Sequence, residues 1–336
     1  MDSVTHIVVG ACVGELVGGK QLGKKALLIG AVANSLPDID IVASFFLPLT
    51  ADLLAHRGFT HSLLFLALVT PLLSYLSARL FPTAAMSRWR WMYLWGLQIF
   101  LHIFIDGFNA YGTGWFEPFS HYRVSFNTMF VADPLFTLWP LVAAIALLVL
   151  KTKSRGRTKW AGIALVLSAA YLITGIVNKN TVDRQIKQEL ASRNISHQDY
   201  FSTPTPLNSI LWYVVAKSDS GFYIGYRSLF DKHPTTRLRY ACQNNYLLEQ
   251  AKNKEDIARL VRFSQGFYTA TTAHDTLLFN DLRFGEIAGW ADSTPHCVFY
   301  YYPELTGAND LVVQRGRFAN WDAQAVITFI NRIRGK

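Results

Sequence analysis

The chain has 336 residues, 51% of them hydrophobic and only 16% charged, with a formal net charge of +9. That charged share is low for a soluble globular protein, and the positive balance is divided along the chain: 13 Lys/Arg against 8 Asp/Glu through residue 178, then 19 against 15. A nucleic-acid footprint would be a clustered basic patch or stripe, and the sequence has none, so direct nucleic-acid binding is not expected.

The first element is MDSVTHIVVGACVGELVGGK, which carries Asp2 and His6 where a signal peptide would carry Lys or Arg. Residues 4–18 therefore read as a short helix that stays in the mature protein. A second short apolar stretch, residues 26–36, runs into PDID. Both read as partial or re-entrant elements packed inside a bundle. Pro37 disfavours helix, so Asp38 and Asp40 are expected on an extended or turn segment, both carboxylates pointing to one side. HRGFTHS, residues 56–62, follows closely. Gly58 permits a tight turn that brings His56 and His61 together, with His61 expected in the first turn of the next helix.

Four later stretches read as full membrane spans: roughly 62–80, 91–108, 130–150 and 160–178. Each has about the 20 residues that cross a bilayer core, and Trp89, Trp91, Trp115, Trp139 and Trp160 lie near their ends, as interfacial belts do. The competing reading, a buried helical core in a soluble protein, is disfavoured by the number of such runs. His102 and Asp106 are four apart on the second span and so share a face, as Asp2 and His6 do on the first helix. The Gly- and aromatic-rich segment 108–129 lies on the site side, where Glu117, His121 and Arg123 are within reach of the cavity; the competing reading is an interfacial loop with aromatic anchors, favoured for His121. Asp133-Pro134 opens the third span, where Asp133 is either an N-cap or a site residue.

Charge orients the bundle. Lys20, Lys24 and Lys25, then Arg79, Arg88 and Arg90, then KTKSRGRTK at 151–159 all fall on one side if every helix reverses direction. The positive-inside rule makes that side cytoplasmic, and the polar motifs then gather on the other. Four His and four or five Asp at matched depth point to a cation, because an unpaired charge near hydrocarbon is costly. Imidazole and carboxylate suit zinc, manganese or iron.

Beyond residue 178, VDRQIKQELASRN reads as an amphipathic helix leaving the membrane, and 179–208 as helix plus linker. From residue 209 the pattern turns to period two. SILWYVVAK and FYIGYRS make a hairpin around SDSG, GFYTATT and TLLFND a second across AHD, and HCVFYYYP a further strand, with helices at 246–262 and 322–333. The fold class is thus an α-helical multi-pass membrane bundle, about four full spans plus two short N-terminal helices. It is followed by a small α+β domain with an antiparallel sheet, residues 209–336, on the extracytoplasmic side. The polar residues of FNDLRFGE, 279–286, read first as solvated strand ends, the alternative being that they close over the membrane site with Arg283 offered to an anionic group. His274-Asp275 reads as a simple turn. Cys12, Cys242 and Cys297 are too far apart for metal-ligand spacing, and a Cys242–Cys297 disulfide is left open. No GxSxG elbow, P-loop or dinucleotide fingerprint occurs.

The set MDSVTH, PDID, HRGFTHS and LHIFIDGFNAYGTGWFEPF resembles the YdjM-like family of membrane-bound, metal-dependent hydrolases, also described as LexA-binding and inner-membrane-associated. The resemblance covers residues 1 to about 178. It implies a multi-pass inner-membrane protein whose metal site is built from His6, Asp38, Asp40, His56, His61, His102 and Asp106. The LexA connection implies control of expression rather than a bound partner. Similar domains follow the membrane part in some members of the family.

The expected chemistry is a divalent metal, zinc with manganese or iron as alternatives, as one or two ions. It would lower the pKa of a coordinated water and polarise a scissile ester or phosphoester. Arg57 is expected to hold a phosphate or an oxyanion, Thr60 and Ser62 to orient imidazoles, and Asp2 or Asp133 to serve as base. A site at the outer membrane boundary points to a lipid-linked or amphiphilic substrate. The rival reading is a non-catalytic membrane protein, a metal transporter or a scaffold with a structural metal.

Overall fold

The computed structural model describes residues 1–154, 156–273, 276–291, 296–304 and 321–336, so the turn read at His274-Asp275 lies outside the described residues. The chain divides into two compact units, Met1–Phe46 with Ala55–Gly175, and Leu47–Leu54 with Ile176–Lys336.

The first unit opens on α1, Ser3–Leu22, and α2, Lys25–Ser35. Gly10, Gly14 and Gly18 recur every four residues on α1, and Ala26, Gly30 and Asn34 do so on α2. These small residues let the two backbones touch. A Cβ on Gly10 would come within 2.5 Å of the Gly30 carbonyl oxygen. The seam also fixes register, since His6 lies one turn before Gly10 on the same stripe and Asn34 one turn after Gly30. His6 Nδ1 accordingly meets Asn34 Oδ1 at 3.2 Å.

After α2 the chain does not become extended. Leu36–Phe45 forms a 3-10 helix with Pro37 in its first turn, where the missing N–H costs nothing. PDID is therefore helical, not a strand or open turn. A one-turn 3-10 segment, Phe59–His61, precedes α4, Leu63–Leu80. His61 ends that short turn rather than starting α4, because Ser62 takes the N-cap and accepts from Phe65 N at 3.0 Å. α5 spans Arg88–Asp106, α6 Pro134–Val149 and α7 Gly156–Ser192. On α5 the buried residues Trp91, Leu94, Trp95, Gln98, His102, Ile105 and Asp106 form one stripe. Within it Gln98, His102 and Asp106 are spaced by four, a polar line inside an apolar face.

Three of the described helical stretches are long and apolar enough to cross a membrane: Lys25–Phe45, Leu63–Leu80 and Gly156–Ser192. The first joins α2 to the 3-10 helix, so residues expected to be a short partial element form a candidate span. α6 has only 16 residues, and α5 carries Arg88, Arg90, His102 and Asp106. Of the four full spans expected, length and composition support those at 62–80 and 160–178.

In the second unit, Val182, Ile186 and Leu190 of α7 are buried against Trp212, Val214 and Ala216. The segment expected to leave the membrane as a separate amphipathic helix is the continuation of α7, and its apolar stripe covers a sheet. That sheet is four antiparallel strands in the order β1-β2-β3-β4: Asp199–Pro204, Leu211–Lys217, Gly221–Ser228 and Leu238–Cys242. A second sheet, β5-β6-β7, comprises Tyr268–Ala273, Thr276–Glu286 and Cys297–Tyr301. The small antiparallel domain is present, as two sheets rather than one. α3, Leu49–Ala55, contributes Thr50, which donates to Asp256. The helix expected over 246–262 is two, α8 at Asn245–Glu249 and α9 at Lys254–Phe263; α10 is Ala323–Ile333.

Arg283 is buried, bound through Nε and an Nη to Asp281 at 3.1 and 2.6 Å, with its guanidinium over the Phe263 and Phe284 rings. Within the second unit it is committed to Asp281. Cys242 and Cys297 are free thiols, the first exposed on β4 and the second buried on β7.

Candidate metal centre

Four side chains converge in the first unit: Asp38 from the 3-10 helix, His61 from the turn before α4, and His102 and Asp106 from α5. One ligand atom from each lies within 4.8 Å of all the others. Asp38 Oδ1 is 3.7 Å from His61 Nε2 and 3.5 Å from His102 Nε2. Asp106 Oδ2 is 3.5 Å from His61 Nε2 and 3.8 Å from His102 Nε2. His61, His102 and Asp106 are fully buried, whereas the Asp38 side chain is 24% exposed, so the cluster opens on the Asp38 side.

Hydrogen-bond partners assign the protons. His102 Nδ1 faces the Asn34 carbonyl oxygen at 2.5 Å, an atom that only accepts, so Nδ1 carries the hydrogen. Thr60 Oγ1 donates to Asp40 Oδ2 at 2.9 Å. Its single proton is used there, so His61 Nδ1, 3.1 Å from Thr60 Oγ1, is the donor in that contact. With both rings neutral, each Nε2 then presents a lone pair, and the two face each other at 3.0 Å. Two neutral imidazoles arranged this way repel unless a cation lies between them. Fixing Nδ1–H on a carbonyl or hydroxyl while Nε2 points inward is how metal-binding histidines are held. The donor set, two imidazoles and two carboxylates with no thiolate, fits zinc, manganese or iron.

The remaining expected ligands surround this group. Asp40 Oδ1 lies 3.0 Å from His56 Nδ1, and Oδ2 accepts from Arg57 N at 2.8 Å as well as from Thr60. With both oxygens engaged, Asp40 braces the HRGFTHS turn. His56, 36% exposed, packs behind Asp40. His6 stacks on His102 at 3.8 Å between ring centroids and reaches Asp106 Oδ1 with Nε2 at 3.1 Å. The Met1 amine also contacts Asp106 Oδ1.

Arg57 is nearly fully buried and adopts φ 60°, a left-handed conformation uncommon for a side chain of this size. Its Nε lies 3.2 Å from Asp106 Oδ2, one Nη donates to Asn109 Oδ1 at 2.9 Å, and the other reaches the Met1 carbonyl at 3.3 Å. Tyr111 lies beneath the guanidinium at 4.9 Å. This is a held cation at the rim of the cluster.

The other expected residues have definite partners in the structure. Asp2 caps α1, accepting from Thr5 N at 3.0 Å and Thr5 Oγ1 at 2.6 Å. Asp133 caps α6, accepting from Leu135 N at 3.0 Å, and also binds the Tyr171 hydroxyl at 2.8 Å. Neither carboxylate belongs to the four-residue group. Ser62 caps α4 and has no hydrogen bond to either imidazole among the described residues, while Thr60 does orient His61. The 108–129 segment is more than an aromatic anchor. Gly114 N donates to the Arg57 carbonyl at 2.8 Å, Leu63 N to the Trp115 carbonyl at 2.9 Å, and Arg123 to the His56 carbonyl at 3.1 Å. His121 is exposed and pairs with Glu117 at 2.8 Å.

Three buried amides escaped the sequence reading. Asn34 Nδ2 donates to the Gln98 carbonyl and to Gln98 Oε1 at 2.9 and 3.0 Å, and Gln98 Nε2 donates to the Gly10 carbonyl at 2.8 Å. Asn109 receives Arg57. The available signal was a lone amide in an apolar helix, as in LLIGAVANS and LWGLQIFLH.

Comparison with known proteins agrees with this membrane unit. Residues 1–182 match the family model described as YdjM inner membrane protein. "Uncharacterized protein YfhP" of Bacillus subtilis (strain 168) is 30% identical over 305 residues, covering 84% of this chain and 87% of that protein. "Inner membrane protein YbcI" of Escherichia coli (strain K12) is 34% identical over 122 residues, 36% of this chain and 69% of that protein. No solved structure matches the chain. The family match includes every residue of the four-ligand group and more than half of the sequence, and the chain belongs to the YdjM inner membrane protein family.

Proposed function

We propose that the protein is a metal-dependent hydrolase of the inner membrane, acting on an ester or phosphoester of a lipid-like or amphiphilic substrate. The observation that carries this reading is the pair of inward Nε2 lone pairs of His61 and His102 between two carboxylates. Asp38, His61, His102 and Asp106 would hold the ion. When bound, a divalent ion there would supply Lewis acidity toward water and the scissile group.

The chain's own residues do the rest. Arg57 stands beside Asp106 with a planar guanidinium suited to a phosphate or developing oxyanion. Thr60 and the Asn34 carbonyl hold the two imidazoles in one tautomer. Ile39, Ile41, Val42 and Phe45, exposed on the 3-10 helix that carries Asp38, and Phe46 just after it give an apolar surface beside the open side of the cluster, suited to acyl chains. In this reading α4, α5, α6 and α7 cross the bilayer, the Lys- and Arg-bearing loops are cytoplasmic, and the cluster faces the outer side. The positive-inside distribution supports that orientation.

Elemental analysis of detergent-purified protein beside His61→Ala and Asp106→Ala tests the proposal. Stoichiometric metal lost in both variants, together with hydrolysis of a lipid ester or phosphoester lost in parallel, is the expected result. Metal-free wild type after reconstitution would overturn it.

A further inference from the structure

A separate cleft lies wholly within the second unit, against β3 and β4. Its volume is about 420 Å³, within the range of small-molecule sites. Arg237, Arg239, Arg332, Glu286, Tyr226 and Trp290 are among the residues that line it. Two of the arginines have carboxylate partners: Arg239 pairs with Glu286, and Arg332 makes a two-point contact with Asp231. Arg237 is exposed at the cleft and has neither an ion pair nor a side-chain hydrogen bond among the described residues. Arg239 adds a second donor, for among the described residues only one Nη of its part-exposed guanidinium is engaged, on Glu286. The Trp290 ring meets Tyr226 edge-on at 6.3 Å between centroids, so an aromatic corner stands beside the guanidinium groups.

An uncompensated arginine and a second, partly free guanidinium in one concavity ask for an anion with several acceptor oxygens. A carboxylate offers two oxygens, whereas a phosphate monoester offers three to the forked guanidinium and a further donor. We propose that this cleft binds a phosphate monoester, with Arg237 taking the phosphate and the body of the ligand resting against Trp290 and Tyr226. The site is independent of the metal centre and of any reaction there. The same headgroup chemistry occurs on a soluble sugar phosphate and on a lipid, and the two sources separate experimentally.

The full-length protein in detergent is titrated calorimetrically with glucose phosphate and, separately, with dihexanoyl phosphatidic acid. Arg237→Ala, Arg237→Gln and Arg259→Ala are measured alongside, the last removing an arginine outside the cleft. Binding of either probe to wild type and to Arg259→Ala, weakened about tenfold or more in both Arg237 variants, is the expected result. Tighter binding of the sugar phosphate assigns a soluble ligand, and tighter binding of the short-chain lipid assigns a headgroup. Failure of both probes at millimolar concentration, or binding that survives both Arg237 substitutions, would overturn the proposal.

Discussion

The Nε2 atoms of His61 and His102 face each other at 3.0 Å, each with its Nδ1 hydrogen committed away from the other ring. Thr60 is the side chain that fixes the His61 tautomer. Thr60→Val keeps the shape and removes the hydroxyl, so metal affinity should fall about tenfold to a hundredfold with little loss of fold. Competition with a fluorescent chelator measures this. Unchanged affinity would remove Thr60 from the support of the site.

Arg57 separates catalysis from a purely structural metal. Arg57→Lys keeps a positive charge beside Asp106 but loses the fork that reaches Asn109. The variant should retain its metal while kcat falls about a hundredfold, the size seen when one donor to a developing oxyanion is removed. Metal content and turnover measured on one preparation decide it. A variant with full turnover would leave Arg57 as a structural cation only.

The helix seam makes a prediction far from the ligands. Gly10→Val drives branched carbon against the Gly30 carbonyl oxygen, 2.5 Å from where the Cβ would lie. The variant should lower the Tm in detergent, with a cost of about 1–3 kcal/mol from overpacking. Because the seam sets the register of His6 and Asn34, metal binding should weaken as well. Scanning calorimetry with and without metal reads both effects.

The asymmetry of the cysteines in the second unit is chemical as well as spatial. Burial and the neighbouring Glu286 carboxylate push the Cys297 thiol well above its ordinary range, so little thiolate forms at neutral pH. Cys242 is exposed, and Cys12 is buried on α1. N-ethylmaleimide should modify Cys242 alone in the native protein and all three after denaturation, as intact mass spectrometry would show. Rapid native modification of Cys297 would contradict the packing of β7.

Asp133 gives a control for the site assignment. Asp133→Ala removes an N-cap and the Tyr171 contact, costing about 1 kcal/mol of stability or somewhat more. Metal content should stay at wild-type level. Loss of metal in this variant would return Asp133 to the centre.

The candidate ligand group was legible because His and Asp are conspicuous among apolar neighbours: Asp38, His61, His102 and Asp106 all stood out. What spacing alone did not show was which polar residues were already satisfied. Asp2, Asp133 and Ser62 carry the same atoms as a ligand or base, but each precedes a helix whose free N–H groups claim it. Asp40 is saturated by the backbone and side chains of the turn it supports. In the second unit the central β2–β3 hairpin announced itself by alternation, whereas β1 and β4 did not. Both are edge strands, where one side lacks a partner and the pattern thins. The continuity of α7 was hidden because its apolar face changes partner along its length.

The α1–α2 seam also has a bearing on the order of assembly. Every residue that forms it lies within the first 34, so this hairpin can close while His61, His102 and Asp106 are still being synthesised. The later helices then arrive at a surface that already displays His6 and Asn34 in fixed register, and Asn34 offers its carbonyl to His102 as α5 docks. A metal ion added at that stage would act as the final clasp on three chain segments, making holoprotein maturation a late event that depends on an early, metal-free scaffold.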